Sequence, residues 1–335
     1  MRGLLGAFAA LLGLACAPAA AAPVRGPDIV KVGAYLNDVH NLELKNHSYS
    51  VDLYVWFRWK AAGLDPAEGF EFTNPYELWG HVRVPSYEKP VRLPGGEFYQ
   101  VVRVQGRFSH KLKLDDYPFD RQVLTVEFED ASRDDNELLY VPDDQPFAVN
   151  ADLELPGFVI GKPRLRIASR AYPTRFGDPR GEAGTAFSRA TLEIPISRPA
   201  LPYSAKLLLP ILSVIFCAAL MFLFHPRHVD ARVGIGITAL LTIVALQITL
   251  NDDLPEVAYL VLMDKIYLGS YLFVIAGLAV IVRSTWRVDP AETGREGSQR
   301  AQAEAVRAIR VDRLSLSVLL GVFLAIMAWI LLPRL

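Results

Sequence analysis

The chain has 335 residues, with 35 Lys and Arg set against 36 Asp and Glu, for a net charge of −1. Hydrophobic residues make up 52% and mean hydropathy is +0.23, which is too apolar for a disordered chain, and the charge balance excludes a globally basic nucleic-acid binder. Two cysteines, Cys16 and Cys217, exclude a disulfide scaffold and a cysteine-rich metal site.

Residues 1–22 begin with Arg2, run apolar and end in Ala19-Ala20-Ala21, the pattern of a cleaved secretory signal peptide. Cys16 is disfavoured as a lipid acceptor, because Gly13 stands where a leucine-like residue is expected. Residues 23–200 form one polar domain with 22 basic and 26 acidic residues, long enough to bury a core without disulfides. Within it, 48–59 alternates with period two, placing Val51, Leu53, Val55 and Phe57 on one side. Residues 100–108 and 122–129 alternate similarly, and 191–196 reads as a short last strand. Asn74-Pro75, Leu93-Pro94-Gly95-Gly96, Asp143-Asp144 and Phe176-Gly177-Asp178-Pro179 read as the turns between them. Many short strands without βα alternation predict an all-β sandwich or barrel.

Residues 201–335 change character. Four apolar stretches, 202–224, 233–250, 258–282 and 314–332, each approach the length of a membrane-spanning helix. A cleaved signal places 23–200 outside, and four spans return the C-terminus to that side. The connection 283–313 carries seven Arg against five acids, the first connection has Arg227 and Arg232, and the second, 251–256, has no base. The basic loops therefore fall inside. Residues 288–312 read as either a helix or a linker.

The second span carries one polar or small-residue stripe: Asp230, Gly234, Thr238, Ala245, Thr249 and Asp252, continued by Leu241 and Ile248. The spacings of three and four put these on one face of a helix. Several copies around an axis would make a water path, with rings of Asp attracting cations and a ring of Leu241 closing it by dewetting. A helix packed through small residues inside a bundle would give the same stripe.

The chain resembles the pentameric ligand-gated ion channels, the Cys-loop receptor superfamily, and its prokaryotic branch in particular. The most specific residues are Leu114-Asp115-Asp116-Tyr117-Pro118-Phe119-Asp120-Arg121-Gln122, similar to the family's signature loop. Positions His110 and Leu124 stand where eukaryotic members place the loop cysteines. Arg198-Pro199 before the first span, Pro210 within it, and Leu254-Pro255 after the second span match further family positions. Counted back from Pro255, Leu241 falls on the pore leucine and Asp230 on an inner-mouth acid.

The resemblance implies a β-sandwich extracellular domain and a four-helix transmembrane bundle that assembles as a ring. It makes Leu241 the gate, extended by Ile248 and Ala245, and Asp230 the selectivity ring, with Asp252 gathering cations at the outer mouth. Arg232, turned inward, would oppose them. Asp120 and Arg198 are expected to pair at the domain junction, with Pro118 cis, and Pro118, Phe119 and Pro255 to join residues 39–45 in coupling the domains. In the family the agonist binds between subunits, and Trp59 with Leu64 matches a family pair, whereas Ala61, Gly63 and Ala131 depart from its pattern. Tyr76, Trp79, Phe176 and Phe187 on one side, and Phe98 and Tyr99 on the other, remain as ligand contacts. Glu127, Glu129, Asp130, Asp134 and Asp135 suggest calcium binding or proton sensing, with Glu129, Asp130 and Asp134 as the metal set.

Six histidines show no metal-ligand spacing except His225 and His228, and no nucleophile, phosphate-loop, dinucleotide or metalloprotease motif is present. The expectation is therefore a cation-selective, homopentameric, ligand- or proton-gated channel of a Gram-negative-type inner membrane. Its N-terminal domain and C-terminus are periplasmic. It is not an enzyme, needs no cofactor and binds no nucleic acid; its partners are the lipid bilayer, permeant cations and a small-molecule agonist or protons. The rival reading is a non-conducting, membrane-anchored periplasmic receptor.

Overall fold

The computed structural model describes residues 26–177, 179, 184–286 and 299–334. The expected signal peptide, 1–22, lies outside them. The polar half folds into strands β1 (Asp28–Glu43), β2 (Ser48–Trp59), β3 (Phe70–Phe72), β4 (Val82–Pro85), β5 (Val91–Arg92), β6 (Phe98–Ser109), β7 (Arg121–Asp130), β8 (Leu138–Val149), β9 (Val159–Ile160), β10 (Arg164–Ala171) and β11 (Ala186–Ser197), with one short helix, α1 (Pro66–Gly69).

Two sheets share these strands. One runs β4-β6-β2-β1-β8, with β5 also on β6; the other runs β10-β11-β7-β3, with β9 also on β11. Between them lies the core that the alternation foretold: Val51, Leu53, Val55 and Phe57 of β2 are at most 1% exposed. They face the equally buried Leu124, Val126 and Phe128 of β7 and Leu192 and Ile194 of β11. The sandwich is the expected one, and the strand bounds differ in instructive ways. β1 runs for 16 residues through Asn37, Asp38 and Asn41, residues that punctuate rather than extend strands, and two register shifts accommodate them. Asp143-Asp144 is a bulge inside β8, not a turn: register jumps from Val32↔Pro142 to Ala34↔Phe147. Pro142 is tolerated because β8 is an edge strand. β11 begins earlier than 191–196, since its first residues pair with β10 although they do not alternate.

The apolar half folds into α2 (Ala200–Ala219), α3 (Val229–Asp252), α4 (Leu262–Thr285) and α5 (Gln299–Leu331). Each contains a stretch long and apolar enough to cross a bilayer. This is a multi-pass membrane protein. α4 starts four residues later than the apolar run, because Asp264 accepts from the Val261 amide at 3.0 Å and caps the helix there. Residues 299–312, left open between helix and linker, are helical and continue into the last span.

Candidate functional site

The helix α3 sorts its residues by face. Asp230, Gly234, Thr238, Leu241, Ala245, Ile248, Thr249 and Asp252 are all exposed in the protomer. At 100° per residue they fall within an arc of about 100°. The buried set, Arg232, Gly236, Ala239, Ile243 and Leu250, centres about 180° away. Gly236 lets α4 approach closely: a Cβ there would lie 2.4 Å from the Leu278 side chain. Gln247 turns off the stripe to accept from the Tyr271 hydroxyl at 2.6 Å. The exposed face is thus unpartnered within one copy, and its middle is apolar, with Leu241 at 64% and Ile248 at 58% exposure. The Thr249 hydroxyl donates to the Ala245 carbonyl at 3.0 Å, leaving only its lone pairs toward the open face. Thr242, Ile237 and Val244 share that face and broaden it beyond the expected stripe.

Arg232 does not turn toward this face. Its side chain is fully buried; Nη2 donates to Asp312 Oδ2 of α5 at 2.6 Å and Nε donates to the Met221 carbonyl at 2.8 Å. The one cation of α3 is therefore held against an acid of α5, away from the open face.

At the other end of α3 the two halves of the chain meet. Arg198 pairs with Asp120 at 3.2 Å, with both side chains at most 5% exposed. The guanidinium sits among three rings, 4.3 Å from Phe158, 4.6 Å from Tyr203 and 5.1 Å from Tyr117. Tyr117 and Tyr203 hydroxyls bond at 2.8 Å across the same junction, and Gln122 donates to Asp120 Oδ2 at 2.8 Å. Burial pushes the Tyr117 hydroxyl well above its usual range, so it stays neutral. The Tyr117–Pro118 peptide is cis, Pro118 is buried, and Phe119 packs partly buried against the helical core. The loop reaches the α3–α4 connection, since the Leu262 amide donates to Asp115 O at 3.0 Å and the Leu114 amide to the Tyr259 hydroxyl at 3.2 Å. Lys45, in the β1–β2 turn, donates to Asp252 O at 3.3 Å, and Pro255 is buried beside these contacts. Of the segments expected here, 39–45 reaches 251–256 through Lys45 and Asp252, whereas the signature loop bonds further along the connection, at Tyr259 and Leu262.

The aromatic residues divide differently. Trp59 is 2% exposed and stacks on Phe98 inside the sandwich, so packing removes it as a ligand contact in this protomer. Phe176 and Phe187 gather around Tyr172, at ring distances of 5.3 and 5.8 Å. Tyr172 was not singled out by sequence; the missed signal is the hairpin that aligns it with β11. Its hydroxyl donates to Glu129 at 2.6 Å, and burial together with that bond pushes its pKa up to about 12. Tyr76 lies under Arg107, Tyr99 packs against Tyr87, and Trp79 is 87% exposed; none of these joins the Tyr172 cluster within one copy.

The expected metal set is not assembled. Arg189 takes Glu129 and Glu127, each at 2.9 Å. Asp130, 1% exposed, accepts from the Ser132 and Arg133 amides and from the Arg133 side chain. Asp134 caps the Asn136 amide. No group of three metal-ligating side chains is present among the described residues. Guanidinium pairing and turn capping, rather than a cation, satisfy these acids.

No protein-family model matches the chain. It is 24% identical over 302 residues to the proton-gated ion channel of Gloeobacter violaceus, a match covering 85% of this chain and 79% of that protein. It is 22% identical over 272 residues to the glutamate-gated chloride channel of Drosophila melanogaster, covering 75% of this chain and 57% of the fly protein. This chain thus spans little more than half of that second relative. Both relatives are named gated ion channels, and the signature loop and second span of this chain resemble the pentameric ligand-gated family.

Proposed function

We propose that the chain is one subunit of a homopentameric ligand- or proton-gated channel, that α3 of each copy lines the pore, and that the pore passes cations. The observation that carries this is the face of α3. The eight residues that polarity, size and spacing place on one stripe are exposed together, and the residues opposite them are buried. A span whose open face has acids at both ends and leucine in its middle is suited to line a closable water path. The relatives do not decide the sign of the ion, since one of them is named a chloride channel. Asp230 on the open face and Arg232 locked to Asp312 support cations.

The β half then lies in the periplasm, with the C-terminus, and the arginine-rich connections face the cytoplasm of an inner membrane. The stimulus is read in the β domain, where the Tyr172, Phe176 and Phe187 cluster offers an aromatic surface beside the Arg189–Glu129 pair. It passes to α3 through Asp120 and Arg198. Ion flux is passive, so the stimulus only shifts the balance of closed and open states.

The test is current through the purified protein in a voltage-clamped bilayer, under steps of outer pH and a panel of amines and amino acids, in a sodium chloride gradient. A gated current reversing near the cation potential is expected. Reversal near the chloride potential would overturn the selectivity. Silence under every stimulus, with Leu241→Ser also silent, would overturn the channel in favour of a non-conducting receptor.

A further inference from the structure

The turn Leu78–Gly80 leads into β4 with its two large side chains, Leu78 and Trp79, exposed, so neither anchors it. The anchor is the next residue, His81. Its imidazole stacks on Phe72 of β3 at 5.6 Å and meets Phe108 of β6 edge-on at 4.9 Å. Gly106 of β6 makes the room, since a Cβ there would collide with the ring. His81 Nδ1 lies 2.8 Å from Glu77 O, just before the turn. One ring therefore ties the two ends of the turn together and seats them on both sheets.

This geometry fixes where the proton is. A carbonyl only accepts, so Nδ1 carries a hydrogen and donates it, and Nε2 is the bare nitrogen of a neutral ring. Nε2 is sealed without a partner. A proton arriving there would make a buried N–H that no acceptor meets, on a ring that has become a cation. The nearby charges do not rescue it. Glu77 favours the cation, but Arg83 of β4 opposes it and lies over Phe70 and Phe72 of the same aromatic cluster, at 4.6 and 5.3 Å. Glu71 of β3 acts on Arg83, and Arg107 of β6 is held by Glu43 and Ser48. Burial and Arg83 keep the seated ring neutral into the acid side of the ordinary histidine range.

We propose that His81 is a proton-binding latch. Neutral, it pins the Leu78–Gly80 turn to the sandwich; protonated at Nε2, it leaves its seat and releases the turn with Trp79. The proton comes from solvent and adds to the Nε2 lone pair, and no covalent bond is broken. Glu77, whose carboxylate lies beside Gly80, receives the emerging imidazolium. Movement of the turn stands on its own. Its link to opening rests on the channel proposed above, for which protons are one of the two kinds of stimulus.

The experiment uses the full chain in nanodiscs with 5-fluorotryptophan at its five tryptophans, read by fluorine resonance, with the Trp79 signal assigned by Trp79→Phe. Between pH about 8 and about 5 the Trp79 resonance should move through a single protonation with a midpoint below about 6.5. Trp59, buried in the core, should keep its resonance over that range. His81→Phe leaves a ring in the seat with no proton to gain, and should hold Trp79 at its neutral-pH position. Should that variant fail to fold, His81→Gln can still donate to Glu77 O without titrating, and should do the same. A Trp79 resonance that ignores pH, that moves unchanged in the variant, or that moves only together with Trp59 would overturn the latch, whatever the current does. Trp79 titrating through His81 in a protein that stays silent with Leu241→Ser would keep the latch and overturn the channel alone.

Discussion

Arg232 brings a full charge into a bundle with no water to receive it, and Asp312 is its counter-ion. Both side chains are at most 1% exposed, yet Arg232 Nη1 and Asp312 Oδ1 have no partner. A buried pair satisfied on one side only is a weak source of stability, but breaking it strands a charge. Asp312→Asn should therefore cost about 3–5 kcal/mol. Arg232→Met combined with Asp312→Leu should restore most of the loss, read as thermal denaturation of the solubilised protein. A loss in the double variant as large as in the single one would show that the pair does more than neutralise itself. His81 gives a second case at this scale. Its ring stacks on Phe72 at 5.6 Å, its Nδ1 lies 2.8 Å from Glu77 O, and its Nε2 is sealed without a partner. Burial lowers its pKa below the ordinary 6.5. The unfolded chain then binds the proton first, so stability is complete above pH about 6.5 and declines as pH falls from there toward the lowered folded value. His81→Phe should flatten that acid decline in melting temperature between neutral pH and pH about 5. An unchanged slope would place the acid sensitivity elsewhere. The stripe on α3 was legible in the sequence because its members recur within one helix. The Asp312 contact was not, since it joins residues 80 apart and Asp312 lies in a stretch whose mixed polarity fits a helix or a linker equally well.

The elements show the same division between near and far. β2 and β7 were readable because one face of each is apolar and buried while the other carries mostly polar residues, so alternation survives in the sequence. β8 was cut at Asp143-Asp144 because a bulge and a turn use the same residue types; only pairing with β1 tells them apart. In that bulge Asp143 earns no turn: it accepts from Arg58 at 2.8 Å and from the Trp56 indole at 2.9 Å. The metal expectation failed for a related reason, as Arg189 of β11 claims Glu127 and Glu129 across the sheet, a pairing that spacing cannot locate, while Arg133 claims Asp130 within its own turn. Within α3 the sharpest consequence falls on Leu241. Exposed at mid-helix in one copy, it would form a ring of five such side chains around the proposed pore. Removing a leucine's apolar surface changes its hydration by about 1.5–3 kcal/mol for each copy. Leu241→Ser should therefore raise current at rest by roughly tenfold or more, measured without any stimulus. Asp230→Ala, at the inner end of the same face, should move the reversal potential toward that of chloride. If it leaves that potential unchanged, Asp230 does not select the ion.

At the scale of the whole molecule, a β sandwich and a helical bundle with separate cores touch through few segments, and one buried cluster dominates the contact. Arg198 is held there by Asp120 and by the faces of Tyr117, Phe158 and Tyr203, while Lys45 and Asp115 reach the two ends of the α3–α4 connection. A stimulus bound far out in the sandwich can act on α3 only by favouring one arrangement of these contacts over another. Coupling of that kind is commonly worth about 1–3 kcal/mol, or 5–150-fold in response. Asp120→Asn should shift the half-maximal stimulus by about that factor, and Asp120→Arg with Arg198→Asp should recover part of it, because the two residues act as one unit. The same Asp120→Asn placed in the Leu241→Ser background should leave the resting current intact, since the pore is opened there directly. That combination separates a coupling residue from one the fold merely needs. Loss of current in both backgrounds would mean that the pair holds the bundle together, whereas loss of the stimulus response alone would place Asp120 and Arg198 on the route from sandwich to pore.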